Sequence, residues 1–326
     1  MNNTSYMKRM ALLLILVSVL KGAAGISAAE NPLKPDPIKW CHATKGGVEV
    51  RSKPGGKEKS LVKLTRGLLV PAYATKKSGR IEWLRIVVVD PALMTPLSGW
   101  VDPAEVEVAD ATEYPHDDKI LALSGSPFLE DFAEENTAVA RFILHTKDAG
   151  PVLVCYLGTE VLPQTRLQVF YKANGRFKAG QSMDFPFSEM KSPLTSLEVR
   201  DLAGDGDEFL VTREPYHVGP QSFGVNMVIR RIEGISFKTI WKTPIAAHNF
   251  DSYPPRLDIV DPVVANIGRP GTDTKGEVEF RARGSLTDIV WKGEVNFHAL
   301  GRDKPLETIH LERTWSWDGT QFKANR

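Results

Sequence analysis

The sequence predicts an all-β fold: a small barrel followed by a second β domain of about three four-stranded units. Three observations lead there. Apolar and polar residues alternate with period two, as in Val48 and Val50 against Glu49 and Arg51, the pattern of a strand with one buried face. Short β-type runs follow one another from Trp40 to about Val108, with turn residues between them. Further on, "LQVFYKANGRFK", "VIRRIEGISFK" and "LERTWSWDGTQFK" share one layout: a strand, then Asn-Gly, Glu-Gly or Asp-Gly, then Phe-Lys shortly after. Asn-Gly and Asp-Gly are strong hairpin signals, because both turn residues take positive φ.

In chain order, Lys8 and Arg9, the apolar run from Ala11 to Leu20 and the small residues up to Ala29 have the layout of a secretory signal peptide over 1–29. The run is too short to span a bilayer and no later stretch is uniformly apolar. The expected product is exported, without a membrane span after cleavage. Removing those 29 residues from 326 leaves 297, more than one small core usually organises, so two domains are expected. It also removes Lys8, Arg9 and Lys21 and no acid, so the net charge of +1 becomes −2. That balance gives no reason to invoke nucleic acid.

A proline-rich lead-in covers 30–37. The strands "GGVEVRS", "SLVKLTRGLLVPAYAT" (broken at Arg66-Gly67), "IEWLRIVVV" and "SGWVDPAEVEV" then make a barrel over 38–110, which should fold by itself. A polar linker is read at 111–120 and the β-rich repeats at 121–326. Upstream of the last two hairpins, "LEVRDLAGDGDEFLV" and "LDIVDPVVANIG" look related, with "LEDFAEENTAVARFIL" as a worn first copy, although Ser126-Pro127 suits the start of a short helix. Gly175, Gly234 and Gly319 mark the three hairpins, with Phe177, Phe237 and Phe322 returning to the core. The only cysteines, Cys41 and Cys155, suit either a disulfide in an oxidising compartment or buried free thiols; Cys155 lies in "PVLVCYLG", apolar on both faces.

The region 38–110 resembles bacterial Src-homology-3-like (SH3-like) domains. The matching residues are Val50-Arg51-Ser52 with Pro54, then Leu64, Gly67 and Val70, then Trp83 with Arg85, then Gly99-Trp100-Val101. The segment "VDPALMTPL" is longer than the usual hairpin. The resemblance implies a ligand groove bordered by Tyr73, Trp83 and Trp100, engaging peptidoglycan or an envelope protein. The repeats resemble, less closely, FG-GAP or integrin-alpha-type propeller units. Three are too few to close a propeller, which leaves a partial propeller-like fan or a β-sandwich.

Chemistry is sparse. No G-x-S-x-G or H-E-x-x-H motif occurs, and neither cysteine has the surroundings of a nucleophile. His310 and Glu312 in "TIHLERTW" share one strand face, as an alternating strand with Ile309 and Leu311 inward also requires. His217 is read in a loop. Arg51, Lys53, Lys57 and Lys59 crowd a turn that reads as a solvated loop, diluted by Glu58.

In "DLAGDGDEF", Asp201, Asp205 and Asp207 suggest a metal loop. An EF-hand places oxygens at its first, third and fifth positions, but Ala203 is third, so the loop reads chiefly as a turn with weak Ca2+ binding as its one candidate cofactor role. The expected protein is an exported, non-catalytic binder of peptidoglycan or an envelope protein. The alternatives are a wall hydrolase with a metal site of His and Asp residues in the second domain, and a structural envelope subunit.

Overall fold

A computed structural model describes residues 36–89, 96–125, 137–148, 150–159, 165–185, 194, 196–217, 222–249, 272–298 and 304–325. The expected signal peptide, most of the lead-in, Ser126-Pro127 and "LDIVDPVVANIG" lie outside these residues.

The first region contributes β1 (Lys39–His42), β2 (Val48–Arg51), β3 (Ser60–Leu64), β4 (Leu68–Ser78), β5 (Ile81–Val89), β6 (Pro96–Val101) and β7 (Glu107–Asp110), with a 3-10 turn at Pro103–Glu105. A helix, α1 (Asp117–Ser124), begins inside the expected linker. Three antiparallel meanders follow: β8 (Thr137–Thr146), β9 (Gly150–Thr159), β10 (Thr165–Ala173) and β11 (Arg176–Phe185); β12 (Ser196–Asp201), β13 (Glu208–His217), β14 (Ser222–Glu233) and β15 (Ser236–Asn249); β16 (Thr272–Arg283), β17 (Leu286–Phe297), β18 (Glu307–Trp317) and β19 (Phe322–Ala324). The protein is all-β in class, with four strands in each of these groups.

The predicted hairpins form where expected. Asn174 (φ 52°) and Gly175 (φ 73°) turn β10 into β11, the pair of positive φ values that a type I′ turn needs. Gly234 and Gly319 occupy the β14–β15 and β18–β19 turns, but Glu233 and Asp318 do not take positive φ: Glu233 is the last paired residue before a Gly234-Ile235 turn, and Asp318 opens a four-residue loop. Phe322 is buried, while Phe177 and Phe237 are partly buried against their cores.

Pairing departs from expectation in two ways. The strands of 38–110 do not close into a barrel among the described residues. They form one end of an eleven-stranded sheet in the order β11-β10-β9-β8-β4-β5-β6-β2-β3, with β1 bridging β4 and β7. The sheet stays open because β3 ends it on one side, while β1, on β4, pairs onward with β7 and, among the described residues, not with β3; β4 also links the region to the next meander. The second half of β4 pairs with β5 while Leu68 and Leu69 pair with Phe142 and Arg141 of β8. The second and third meanders likewise join edge to edge, with Ala246 to Asn249 of β15 opposite Lys275 to Thr272 of β16, in one eight-stranded sheet.

Strands β8 to β10 are apolar on both faces because both faces are covered. Ala138, Ala140, Phe142 and Leu144 belong to a core shared with Val48, Val50, Leu84 and Ile86 of the first region and with Val199 and Leu210 of the second sheet. Val139, Ile143, Leu153 and Cys155 face the other way, packing with Trp40, Phe170 and Ile120 of α1. A third cluster around Phe209, Ile229, Trp241 and Ile289 fills the far face of the second sheet.

Gly67 sits where these layers meet. Its N–H donates to the Ala43 carbonyl at 2.7 Å and its carbonyl accepts from Ile143 N–H at 2.7 Å. Its φ is +84°, and a Cβ there would lie 2.6 Å from Val199 Cγ2. Gly67→Ala combines left-handed strain with overpacking and should cost about 2–4 kcal/mol. Gly79→Ala, at φ +62° with open space around it, should cost only the strain of about 1 kcal/mol. Chemical denaturation of the two variants measures the difference.

Candidate functional site

Alternation on the first sheet sends Leu84, Ile86 and Val101 into the core and Trp83, Arg85 and Trp100 to the outer face. Trp100 on β6 lies opposite Arg85 on β5 and Arg51 on β2, so cationic residues flank it in register on both sides. The Arg51 guanidinium stands 5.9 Å from the Trp83 ring centroid. It is held by Glu49 Oε2 at 3.0 Å and by donation to the Gly56 carbonyl. Trp83 is 3% exposed, whereas Trp100 is half-buried. Lys53, Lys57 and Lys59 are exposed in the β2–β3 loop.

Tyr73 has different surroundings. It is the residue bypassed where the β4–β5 register shifts between Ala72 and Ala74. Burial pushes its phenol up to about 12, with Asp117 and Asp36 adding to the effect and Arg141 opposing it. Those charges belong to the α1 end, where Arg141, 2% exposed, pairs with Asp117 and stands 5.0 Å from the Trp40 ring. The three aromatic positions therefore divide between two environments.

The acidic loop joins β12 to β13. Asp201 Oδ1 accepts from Gly204 N–H at 2.7 Å and Oδ2 from Gly206 N–H at 3.1 Å, so one carboxylate holds the turn by two backbone donors. Asp205 accepts from Asp207 N–H at 3.1 Å and pairs with Lys147. Burial works to raise the Asp205 carboxyl, but the hydrogen bonds from Lys147 and Asp207 outweigh it and hold it low. Asp207 accepts from Lys147 N–H at 3.3 Å and lies 3.8 Å from Arg231. Burial raises its pKa against those partners. Among the described residues no group of three or more His, Cys, Asp or Glu is arranged to hold a metal ion.

The next residue, Glu208, which the sequence offered only as a substitute ligand for the acidic loop, has a different role. Its side chain is 4% exposed. Oε1 accepts from Arg66 Nε at 2.8 Å and pairs with Arg66 Nη2 at 2.7 Å. Oε2 accepts from His145 N–H at 2.9 Å and lies 3.1 Å from His145 Nδ1. The His145 ring is 6.2 Å from that of His42, whose Nδ1 lies 3.3 Å from Glu107 Oε2. An acid leading straight into "FLV" was the only hint in the sequence. Burial lowers the His42 pKa; Glu107 and Glu208 oppose this and His145 reinforces it.

A second histidine group lies at one end of the other sheet. Asp273 hydrogen-bonds to His248 through Oδ1, and its Oδ2 lies 3.0 Å from His298 Nε2 without hydrogen-bond geometry. His310 and Glu312 are exposed on β18, with Glu312 3.7 Å from Lys292 Nζ. His217 is the last residue of β13 rather than a loop residue. Cys41 and Cys155 are free and buried, and burial pushes both thiols up to about 12, which makes poor nucleophiles of them. The chain matches no family model, no curated protein and no solved structure.

Two outcomes are expected. Asp201→Ala should cost about 1–2 kcal/mol, as loss of a capping side chain does, and equally in millimolar calcium and in chelator. Thermal melts in both conditions check this; a loss seen only with calcium would assign the carboxylate to metal instead. His42 binds protons less readily folded than unfolded, so its contribution is present above the ordinary value of 6.5 and is lost as pH falls below it. Denaturation midpoints of His42→Gln should therefore fall less than those of the parent between about pH 7 and about pH 5.

Proposed function

We propose that this chain is an exported, non-catalytic binding protein that engages peptidoglycan or an envelope protein through the outer face of its first sheet. The observation that carries this reading is the placement of Trp100. It is a half-buried indole on the face turned away from the core, with Arg51 and Arg85 opposite it on the two neighbouring strands. An aromatic ring of this kind supplies a flat apolar surface and one N–H donor, and flanking guanidinium groups add donors for carboxylates. Trp83 supports that surface from beneath the Arg51 side chain rather than presenting a ring of its own. The SH3-like residue pattern points to the same ligand class, and the signal-peptide pattern to the same compartment.

A hydrolase reading has one observation in its favour, the Asp273 carboxylate between His248 and His298. Such a group suits proton transfer. The two readings separate in one experiment. Purified peptidoglycan incubated with the mature protein should capture it without releasing soluble fragments. Trp100→Ala, shown by melting to remain folded, should weaken capture by about 2 kcal/mol, a loss typical of an aromatic hot spot. Fragment release that disappears in Asp273→Asn would favour the hydrolase, and undiminished capture by Trp100→Ala would move the binding surface elsewhere.

A further inference from the structure

Charge is distributed very unevenly along this chain. Lys and Arg total 41 against 40 Asp and Glu, yet residues 39–85 hold 12 basic residues and only 3 acidic ones. Strand register shows where part of that excess goes. Glu49 is opposite Lys63, Arg51 is opposite Trp100, Trp100 is opposite Arg85, and Trp83 is opposite Lys76. Residues directly opposite one another share a face. Lys63, Arg51, Arg85 and Lys76 therefore lie on the same outer face as Trp100, spread over β3, β2, β5 and β4. Adjacent strands are about 4.8 Å apart, so the five strands from β3 to β4 carry the cations across about 19 Å.

Lys63, Lys76 and Arg85 are exposed. None of the three has an ion-pair partner among the described residues, and Arg85 donates only to Ser98 Oγ at 3.2 Å. The acid of this face, Glu49, is spent on Arg51. Among the described strand residues of this face four cations stand against the single acid Glu49, and an imbalance of this kind attracts a ligand that brings the missing negative charge.

We infer that this face binds an anionic polysaccharide, with carboxylate-bearing sugars spaced along the cation row and one sugar ring lying on Trp100. The inference rests on the binding function proposed above and gives its ligand a chemistry. Spread-out cations match a polymer with repeated negative charges better than a single small anion. The lone half-buried indole among them offers an apolar contact that suits the C–H face of a pyranose.

The test uses the mature protein with polygalacturonate as the carboxylated polysaccharide, neutral dextran as the uncharged one and poly-glutamate as the acidic polypeptide. Polygalacturonate should bind, and should weaken as ionic strength rises through the range where the screening length falls to about 10 Å and below. Dextran should not bind. The triple variant Lys63→Ser, Lys76→Ser, Arg85→Ser changes only exposed side chains and should lower polygalacturonate affinity at least about tenfold at low salt; Arg51 is kept because it also holds the β2–β3 loop. Trp100→Ala should weaken polygalacturonate and leave poly-glutamate unchanged. Equal binding of poly-glutamate, with Trp100 without effect, would overturn the inference in favour of an acidic protein. Peptidoglycan capture that survives the triple variant but fails in Trp100→Ala would overturn the charge argument and leave the proposed function standing.

Discussion

The carboxylate of Glu208 is the point on which three separate parts of the chain converge. Arg66 reaches it from the β3–β4 turn, His145 from the end of β8, and Glu208 itself opens β13. A carboxylate this deeply buried is stable only while its oxygens are fully engaged, and here each oxygen is in contact with two nitrogens. Its neighbours extend the arrangement: Asp207 and Asp205 hold Lys147 at the β8–β9 turn, and Asp201 holds the loop closed. The acidic loop thus acts as a clasp between the second sheet and the first.

Around that clasp the apolar layers fall into place. Gly67, the residue next to Arg66, hydrogen-bonds to Ala43 and Ile143 and gives Val199 room to approach. The first region therefore shares its core with β8 to β10 and with β12 to β14 instead of enclosing one of its own. Burial on both faces explains why Cys155, flanked by Val154 and Tyr156, is an inert thiol. It also explains the presence of α1, which covers Trp40 and Phe170 on the face that would otherwise meet water.

The same geometry leaves one face of the first sheet uncommitted. The inward residues of β2 to β6 are claimed by the shared core, so their polar alternates are gathered outside, where Lys63, Lys76 and Arg85 form no ion pair among the described residues. Trp83 on β5 and Trp100 on β6 share one face of the sheet but differ in exposure: Trp83 is buried, with the Arg51 guanidinium 5.9 Å from its ring centroid, and Trp100 is half-buried.

Much of the secondary structure was legible in the sequence because it is encoded within a few residues. Val48 and Val50 alternate with Glu49 and Arg51 and form β2; Asn174-Gly175 takes two positive φ values and forms a hairpin; the three hairpin motifs each close a four-stranded meander. That the acidic loop is chiefly a turn was likewise readable from its glycines, whereas the outward placement of Trp100 and the hold of Asp201 on the loop emerged from register and hydrogen bonding. What only the tertiary structure decided is which edges and charges meet. The pairing of β4 with β8, the open rather than closed first sheet, the fusion of β15 with β16 and the helix at 117–124 depend on surfaces brought together from afar. Glu208 shows why: Arg66 is 142 positions away and His145 is 63, and no local pattern specifies such a partner, because desolvation makes the pairing necessary only once all three segments have packed.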